Sequence, residues 1–296
     1  MADIVILNQP NFEGLFLALL GKLFHKKIIS IFHCQVFLEG NFLIKIINFV
    51  LNTSIKLQLY LSDKIVVYTK DYINSLPNLK PFRKKTVFTF PPIDRLKVDK
   101  NYFSKLKKIK KTDIWIGYSG RVASEKGIEY LVQSINRLDI KKNIRLILAG
   151  PYGKEVVGEN IYYEKIVKVL KKYKIKNIFL GNLTSKQLGA FYKSIDVLVL
   201  PSINQTEAFG IVQVEAMIAG TPVITSNLPG VRMPIKLTKM GIIVEPKNID
   251  QLSQAIRDVL KNKNKFVNDK LIKNAQEIFN IKETYKVYDK LLTLIN

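Results

Sequence analysis

Short apolar runs bounded by turn residues recur along this chain, and a longer stretch with helical spacing separates most consecutive pairs. Before Pro92 the runs are Asp3 to Leu7, Ile28 to Phe32, Lys64 to Val67 and Thr86 to Phe90, with helical stretches from Phe12 to Phe24 and from Phe42 to about Leu61. After Thr112 they are Ile114 to Tyr118, Arg145 to Ala149, Asn177 to Leu180, Val197 to Leu200, Pro222 to Thr225 and Gly241 to Val244, again with helices between. A strand that is apolar throughout needs cover on both faces. A helix between two strands carries the chain back to start a parallel neighbour. The pattern predicts an α/β protein built from doubly wound parallel sheets.

A length of 296 residues suits two domains rather than one. The expected division is a first domain over 1–95, a lysine-rich linker over 96–111, a second domain over 112–280, and a final helix over 281–296 that returns to the first domain. Within the second domain, Thr184 with Gln187 three residues later has the form of a capping box, which marks a helix start.

Composition narrows the function classes. Apolar residues make up 47% of the chain, enough for packed cores, so global disorder is excluded. With one cysteine, Cys34, and two histidines, His25 and His33, the chain has neither a disulfide framework nor a Cys/His zinc set. The 47 Lys+Arg against 24 Asp+Glu give a net charge of +23, but only seven of the cations are arginine. Arginine is the usual reader of bases and phosphates, and no nucleic-acid-binding motif is present, so nucleic acid is not an expected partner. Most of the charge reads as solvated lysine. Lys80, Arg83, Lys84 and Lys85 around Phe82 nevertheless form a basic-aromatic group suited to an anionic membrane surface. No run of 18 uninterrupted apolar residues and no signal-peptide pattern is found, so the expected location is cytoplasmic, peripheral at most.

In doubly wound sheets ligands bind at the carboxyl ends of strands, which directs attention to the loops that leave them. Gly117-Tyr118-Ser119-Gly120-Arg121 leads into Glu125-Lys126-Gly127 and a helix. A glycine turn, two cations and a helix N-terminus make an anion site, and a turn with solvated charges is the alternative. It is neither a Walker loop nor a dinucleotide fingerprint. A second loop runs from Pro201 to Phe209-Gly210 and opens a helix that carries Glu215 among Ile211, Val212, Val214, Ala216 and Met217. A carboxylate on so apolar a helix is costly without partners, and a pair of ribose hydroxyls is one natural partner. A solvent-facing or turn-capping Glu215 is the alternative.

Glu207, seven intervening residues and Glu215, set in E-A-F-G-I-V-Q-V-E-A-M-I-A-G-T-P-V-I, resemble the E-x7-E signature of family-4 retaining glycosyltransferases of the GT-B fold. Gly120 to Gly127 (G-R-V-A-S-E-K-G) resembles that family's donor-phosphate loop, and Phe179-Leu180-Gly181-Asn182-Leu183 and Leu228-Pro229-Gly230-Val231-Arg232 also fit. The likeness is strong from about Thr112 to Leu260 and weaker over Asp3 to Pro92.

The resemblance implies two Rossmann-like domains and a nucleotide-diphosphate sugar as donor substrate, with no cofactor. Arg121 and Lys126 would hold the diphosphate and stabilise the leaving nucleotide, beside Gly120. Glu215 would bind the ribose, and Gly181 and Leu183 would lie by the base. Glu207 and the amides of Phe209, Gly210 and Ile211 would contact sugar or phosphate. The pocket around Gly150-Pro151 and Asn182-Leu183 would set donor choice. His33 resembles the active-site histidine near the sugar 6-hydroxyl, and a structural histidine is the alternative. Glu207, His33, Arg121 and Lys126 are thus the implied catalytic residues, and a glycan or lipid-linked glycan is the implied acceptor. No Asp-x-Asp occurs, so a metal-diphosphate device is not expected.

Four runs before Pro92 are fewer than the six or seven strands that the resemblance implies, so the first domain is expected to be incomplete. That leaves open a second reading, a non-catalytic remnant that binds a nucleotide sugar or a partner. Epimerase or phosphorylase chemistry finds too few acid-base residues.

Overall fold

The computed structural model describes residues 3–36, 42–138 and 143–295. The chain divides into two compact units. One comprises Met1–Pro92, Gln205–Phe209 and Ile281–Asn296, the other Ile93–Asn204 and Gly210–Asn280.

The first unit contains β1 (Ile4–Gln9), α1 (Gly14–Leu23), β2 (Lys27–Phe32), α2 (Phe42–Leu61), β3 (Lys64–Val67), α3 (Lys70–Ser75) and β4 (Thr86–Phe88). Its strands form a parallel sheet in the order β1-β2-β3-β4, with Ile31 opposite both Asn8 and Val66. β2 is covered on both sides, which is why its run is mostly apolar. Ile28 packs with Leu7 and Ala18, and Phe32 with Leu51 and Leu59, on the face covered by α1 and α2. The alternate residues Ile29 and Ile31 pack with Leu291 and Tyr288 of the final helix on the other face. A polar network runs through the first face: buried Gln9 donates to Ser30 Oγ and Gln58 Oε1, each at 3.2 Å, and Gln58 donates to Asn11 O at 2.7 Å.

The second unit contains α4 (Lys100–Lys110), β5 (Ile114–Ser119), α5 (Ile128–Asn136), β6 (Ile144–Ala149), α6 (Asn160–Lys172), β7 (Lys176–Gly181), α7 (Ser185–Ser194), β8 (Val197–Leu200), α8 (Ile211–Ile218), β9 (Val223–Ser226), α9 (Met233–Thr238), β10 (Gly241–Val244), α10 (Ile249–Lys261), α11 (Lys263–Phe266) and α12 (Asp269–Ile278). The last helix, α13 (Ile281–Ile295), groups with the first unit. The second sheet is parallel in the order β10-β9-β8-β5-β6-β7. Ile116, Leu146 and Val199 face a core shared with Leu131, Ile166 and Ile256 of α5, α6 and α10. Trp115, Ile147 and Leu198 face the opposite core, with Leu106, Phe191 and Ala275 of α4, α7 and α12. Strand order reverses between β5 and β8, so the loops leaving these two strands border the crevice at the topological switch point.

The fold class is as the apolar runs imply: doubly wound α/β in both units, the first sheet with four strands and the second with six among the described residues. Thr184 caps α7 in a full capping box with Gln187. The sequence reading is corrected at two places. Residues 96–111, expected as a linker, hold α4. Asp99 caps this helix by accepting from the Tyr102 amide, Leu106 is 1% exposed, and Lys110 makes an ion pair with Asp196 at 2.6 Å. Lysine dominates the composition there and hides the apolar stripe Tyr102, Leu106, Ile109 that packs against the second core. The basic-aromatic group around Phe82 loses its aromatic member. Phe82 is 5% exposed inside a short 3-10 segment, in the core with Leu79 and Tyr72, so Lys80, Arg83, Lys84 and Lys85 surround a buried ring.

Candidate functional site

Loops from three strands converge in the second unit. β5 ends at Ser119, and the chain turns at Gly120, whose φ of +140° favours glycine. The turn is held from outside: the Gly120 amide donates to Ala149 O at 2.9 Å and the Gly150 amide to Gly181 O at 2.8 Å. Gly120, Gly150 and Gly181, separated by about thirty residues each in the sequence, are therefore stacked at the carboxyl ends of β5, β6 and β7. At Gly150 a Cβ would lie 2.3 Å from Gly120 O, so the two turns touch backbone to backbone. Gly127 precedes α5 at φ +64°, and a Cβ there would lie 2.4 Å from Pro201 O. Ile203 N donates to Glu125 O at 3.0 Å. The loop after β5 and the loop after β8 thus form one bordering structure.

Arg121 is exposed at the rim and pairs with Glu125 at 2.9 Å, and its carbonyl accepts from Tyr118 Oη at 2.6 Å. Lys126 is half-buried at the end of a 3-10 turn that leads into Gly127. An anion entering here meets a guanidinium whose present partner is an i+4 carboxylate on the same loop, which an incoming phosphate can displace or share. Gly210 starts α8 in the left-handed region, φ +74°, against Leu200 of β8. The first turn of α8 has no side-chain cap and no acidic residue, which leaves its positive end available to an anion. Ile211 opens the helix with an exposed side chain.

Glu215 lies one turn further along α8 and is neither solvent-facing nor a turn cap. Tyr192 Oη of α7, fully buried, donates to its Oε2 at 2.8 Å and stands 3.2 Å from Ser119 Oγ at the end of β5. Burial raises the Glu215 pKa above the ordinary glutamate range, and the Tyr192 hydrogen bond offsets part of that. Burial and the neighbouring carboxylate push Tyr192 well up, so it remains a donor. A half-buried carboxylate with one firm donor keeps acceptor capacity for a pair of hydroxyls. Leu183, half-buried, and Asn182 line a cavity of about 400 Å³ with Tyr102, Lys105 and Gln187.

The remaining sequence-selected residues belong to the first unit. His33 follows β2, half-buried. Its Nε2 lies 3.1 Å from Asn8 Oδ1, and its Nδ1 makes a short hydrogen bond with Tyr68 Oη. Burial lowers its pKa, so the ring is neutral, and these partners match a single tautomer in which Nε2–H donates to Asn8 and Nδ1 accepts from Tyr68. Phe209 is 2% exposed and stacks with Tyr68 and Phe90, ring centroids 5.9 and 5.7 Å away. Glu207 is half-buried in the same Gln205–Phe209 segment, which is tied down by Tyr72 Oη donating to Gln205 O at 2.8 Å.

The structure therefore brings Gly120, Arg121, Lys126, Gly150, Gly181, Leu183, Gly210, Ile211 and Glu215 into the second unit, and groups His33, Glu207 and Phe209 with the first. Sequence reasoning missed Tyr192, Tyr68 and Asn8. Tyr68 follows β3 directly, so the strand-end rule that selected His33 could have found it. Tyr192 lies 23 residues before Glu215 on another helix, with no local signal. Among the described residues, no group of three or more His, Cys, Asp or Glu could hold a metal ion.

Comparison with known proteins follows the same division. Residues 99–278 match the family model described as glycosyl transferases group 1. An uncharacterized glycosyltransferase of Methanocaldococcus jannaschii, MJ1607, is 37% identical over 145 residues, 49% of this chain and 35% of that protein. The lipopolysaccharide 1,2-N-acetylglucosaminetransferase of Salmonella typhimurium is 31% identical over 149 residues, 49% of this chain and 39% of that protein. The chain thus spans little more than a third of the length of these curated relatives. Among solved structures, Anabaena Alr3699/HepE in complex with UDP and glucose aligns with a TM-score of 0.83 at 17% identity, over 98% of this chain and 77% of that one. Sucrose-phosphate synthase from Thermosynechococcus elongatus aligns at 0.78 and 19% identity, over 99% and 74%. These likenesses identify the fold as GT-B, with two Rossmann-like units.

Proposed function

The chain belongs to the glycosyl transferases group 1 family, and from that premise we propose that it is a retaining glycosyltransferase moving a sugar from a nucleotide-diphosphate sugar to a glycan or lipid-linked acceptor. The observation that carries the reading is the buried Ser119–Tyr192–Glu215 cluster beside the stacked Gly120, Gly150 and Gly181 turns. It sets a pre-oriented carboxylate next to a backbone cradle with a cationic rim, which are the needs of a ribose and a diphosphate. Relatives support it. HepE is described in complex with UDP and glucose, and a Salmonella relative transfers N-acetylglucosamine to lipopolysaccharide by its name.

In this reading Glu215 accepts from the ribose hydroxyls, and Gly181 and Leu183 border the base. Arg121, Lys126 and the α8 N-terminus stabilise negative charge as the nucleoside diphosphate leaves, an electrostatic contribution that needs no metal. The departing phosphate oxygen takes the proton from the acceptor hydroxyl as that oxygen attacks the anomeric carbon from the same face, so the configuration is retained. His33, whose ring is neutral, and Glu207 are assigned as hydrogen-bonding partners of the donor sugar. In this reading the product is part of a cell-envelope polysaccharide, and a 27%-identical relative from Staphylococcus aureus, CapM, is named for capsular polysaccharide biosynthesis.

A second reading, donor binding without transfer, is favoured by one observation: the first sheet has four strands among the described residues. Saturation-transfer NMR with UDP-, GDP- and ADP-sugars, followed by assay of sugar release and transfer, separates the two. Binding that Glu215→Ala abolishes is expected. Absence of binding to every donor would sink both readings, and binding without any turnover would leave the second.

A further inference from the structure

The largest unexplained feature lies in the first unit, on the outward side of α1 and α2. α2 turns Leu51, Ser54, Ile55, Gln58 and Leu59 toward the sheet. Its opposite stripe is apolar as well: Phe42 is 76% exposed, Phe49 72%, and Ile46, Val50, Leu57 and Tyr60 are exposed along the same side. None of the first nine residues of α2 is buried: Ile44 and Asn48 are half-buried and the other seven are exposed. α1 packs beside the second half of α2, with Gly14 against Gln58, and turns Phe16, Leu19 and Leu23 outward. A face of this size marks a binding surface rather than ordinary surface scatter.

Charge says what the face suits. Neither helix contains an acidic residue, while Lys45 and Lys56 flank the apolar stripe of α2 and Lys22, Lys26 and Lys27 cluster at the end of α1. Of these, Lys22 pairs with Asp63 and Lys26 with Asp3. Exposed Glu13 stands at the N-cap of α1, and a second copy docked about a two-fold axis at α2 would set Lys45 and Lys56 against a face that carries lysine and no acid on that helix. Anionic headgroups neutralise the lysines while the rings enter the acyl boundary. By length and composition alone α2 could cross a bilayer. However, its inner face carries Gln58 and Ser54 in the buried network with Gln9, and leaving the sheet would strand those groups.

We propose that the outward face of α1 and α2 docks this protein on an anionic lipid bilayer, α2 lying in the interface rather than spanning it. α2 starts after the carboxyl end of β2, the strand end that carries His33, so its apolar tip lies at the functional end of the first sheet. Docking in this way would hold that end at the membrane, where a lipid-linked acceptor resides. Only this consequence rests on the glycosyltransferase reading.

The test is co-sedimentation of the full chain with phosphatidylcholine vesicles with and without phosphatidylglycerol, at low and high salt. Wild type is expected to bind the anionic vesicles. The Phe42→Ser, Phe49→Ser double variant should lose at least about tenfold in partitioning. Lys45→Glu with Lys56→Glu should remove the preference for phosphatidylglycerol. Val157→Ser, at a 98%-exposed apolar position of the second unit, should change nothing. Circular dichroism checks that each variant is folded, and UDP-sugar binding is measured in parallel. Failure to bind anionic vesicles at low salt, or binding indifferent to Phe42 and Phe49, overturns the inference. So does light scattering that shows an oligomer dissolved by the double variant without vesicle binding, since a polypeptide would then cover the face. Intact UDP-sugar binding in those cases would leave the functional reading standing.

Discussion

Removing the Tyr192 hydroxyl perturbs the candidate site at its least accessible point. Tyr192 is fully buried and donates to Glu215 Oε2 at 2.8 Å, with Ser119 Oγ 3.2 Å away. A hydrogen bond to a charged group contributes about 1.5–3 kcal/mol, and Ser119 can swing to recover part of it, so the expected coupling between Tyr192 and an ionised Glu215 is about 1–2 kcal/mol. The measurement is a double-mutant cycle of Tyr192→Phe and Glu215→Gln by urea unfolding, repeated from acid to neutral pH. The sign follows from burial, which raises the Glu215 pKa in the folded state. Below the ordinary glutamate range the carboxyl is neutral folded and unfolded and makes no pH-dependent contribution. As pH rises through that range toward the raised folded value, only the unfolded chain ionises, and wild type loses stability relative to Glu215→Gln. Tyr192→Phe removes the hydrogen bond that lowers the pKa, so the loss should extend to higher pH. Nucleotide-sugar affinity should rise over the same window, because ribose hydroxyls donate to the ionised form. A coupling below about 0.3 kcal/mol, or a stability difference that does not vary with pH, would refute the reasoning.

Two further outcomes are expected. The His33 ring should titrate by NMR below the ordinary histidine range, and Tyr68→Phe should move its midpoint upward, because the neutral ring loses the hydroxyl that donates to Nδ1. The His33 contribution to stability should be complete above the ordinary histidine range and decline as pH falls through it toward the lowered folded value; an unshifted midpoint would contradict the buried, neutral ring. Leu106→Ala should destabilise the second unit by about 2–4 kcal/mol in denaturant unfolding if α4 is part of its core, whereas a linker residue would cost almost nothing.

The strands were legible because parallel sheets impose a local rule. Lys64–Val67, Val197–Leu200 and Gly241–Val244 are strands with the boundaries their apolar runs suggest, since strands covered on both faces are mostly apolar, and the polar residues among them are few. α4 was not legible: eleven residues with five lysines look solvated, and only the partner face on α7 and β5 turns Leu106 inward. Phe82 misled in the opposite sense, an aromatic among cations whose side chain is withdrawn into the core.

The site divides along the same line. Local signals drew attention to the glycine turn and helix start at Gly120 to Gly127 and to Glu215 as a carboxylate on an apolar helix, whereas Glu207 was selected by the family resemblance. The chain alone therefore determined the α/β class and the strand ends whose loops are the candidates for the chemistry. Tertiary structure decided which distant groups meet: Gly150 wedged on Gly120, Tyr192 on Glu215, Tyr68 and Asn8 on His33. It also decided which apolar residues of α1 and α2 remain outside. The reason is that sheet order and helix packing, not sequence separation, set these distances; hydrophobicity marks a residue as able to be buried, and only the packed neighbours determine whether it is.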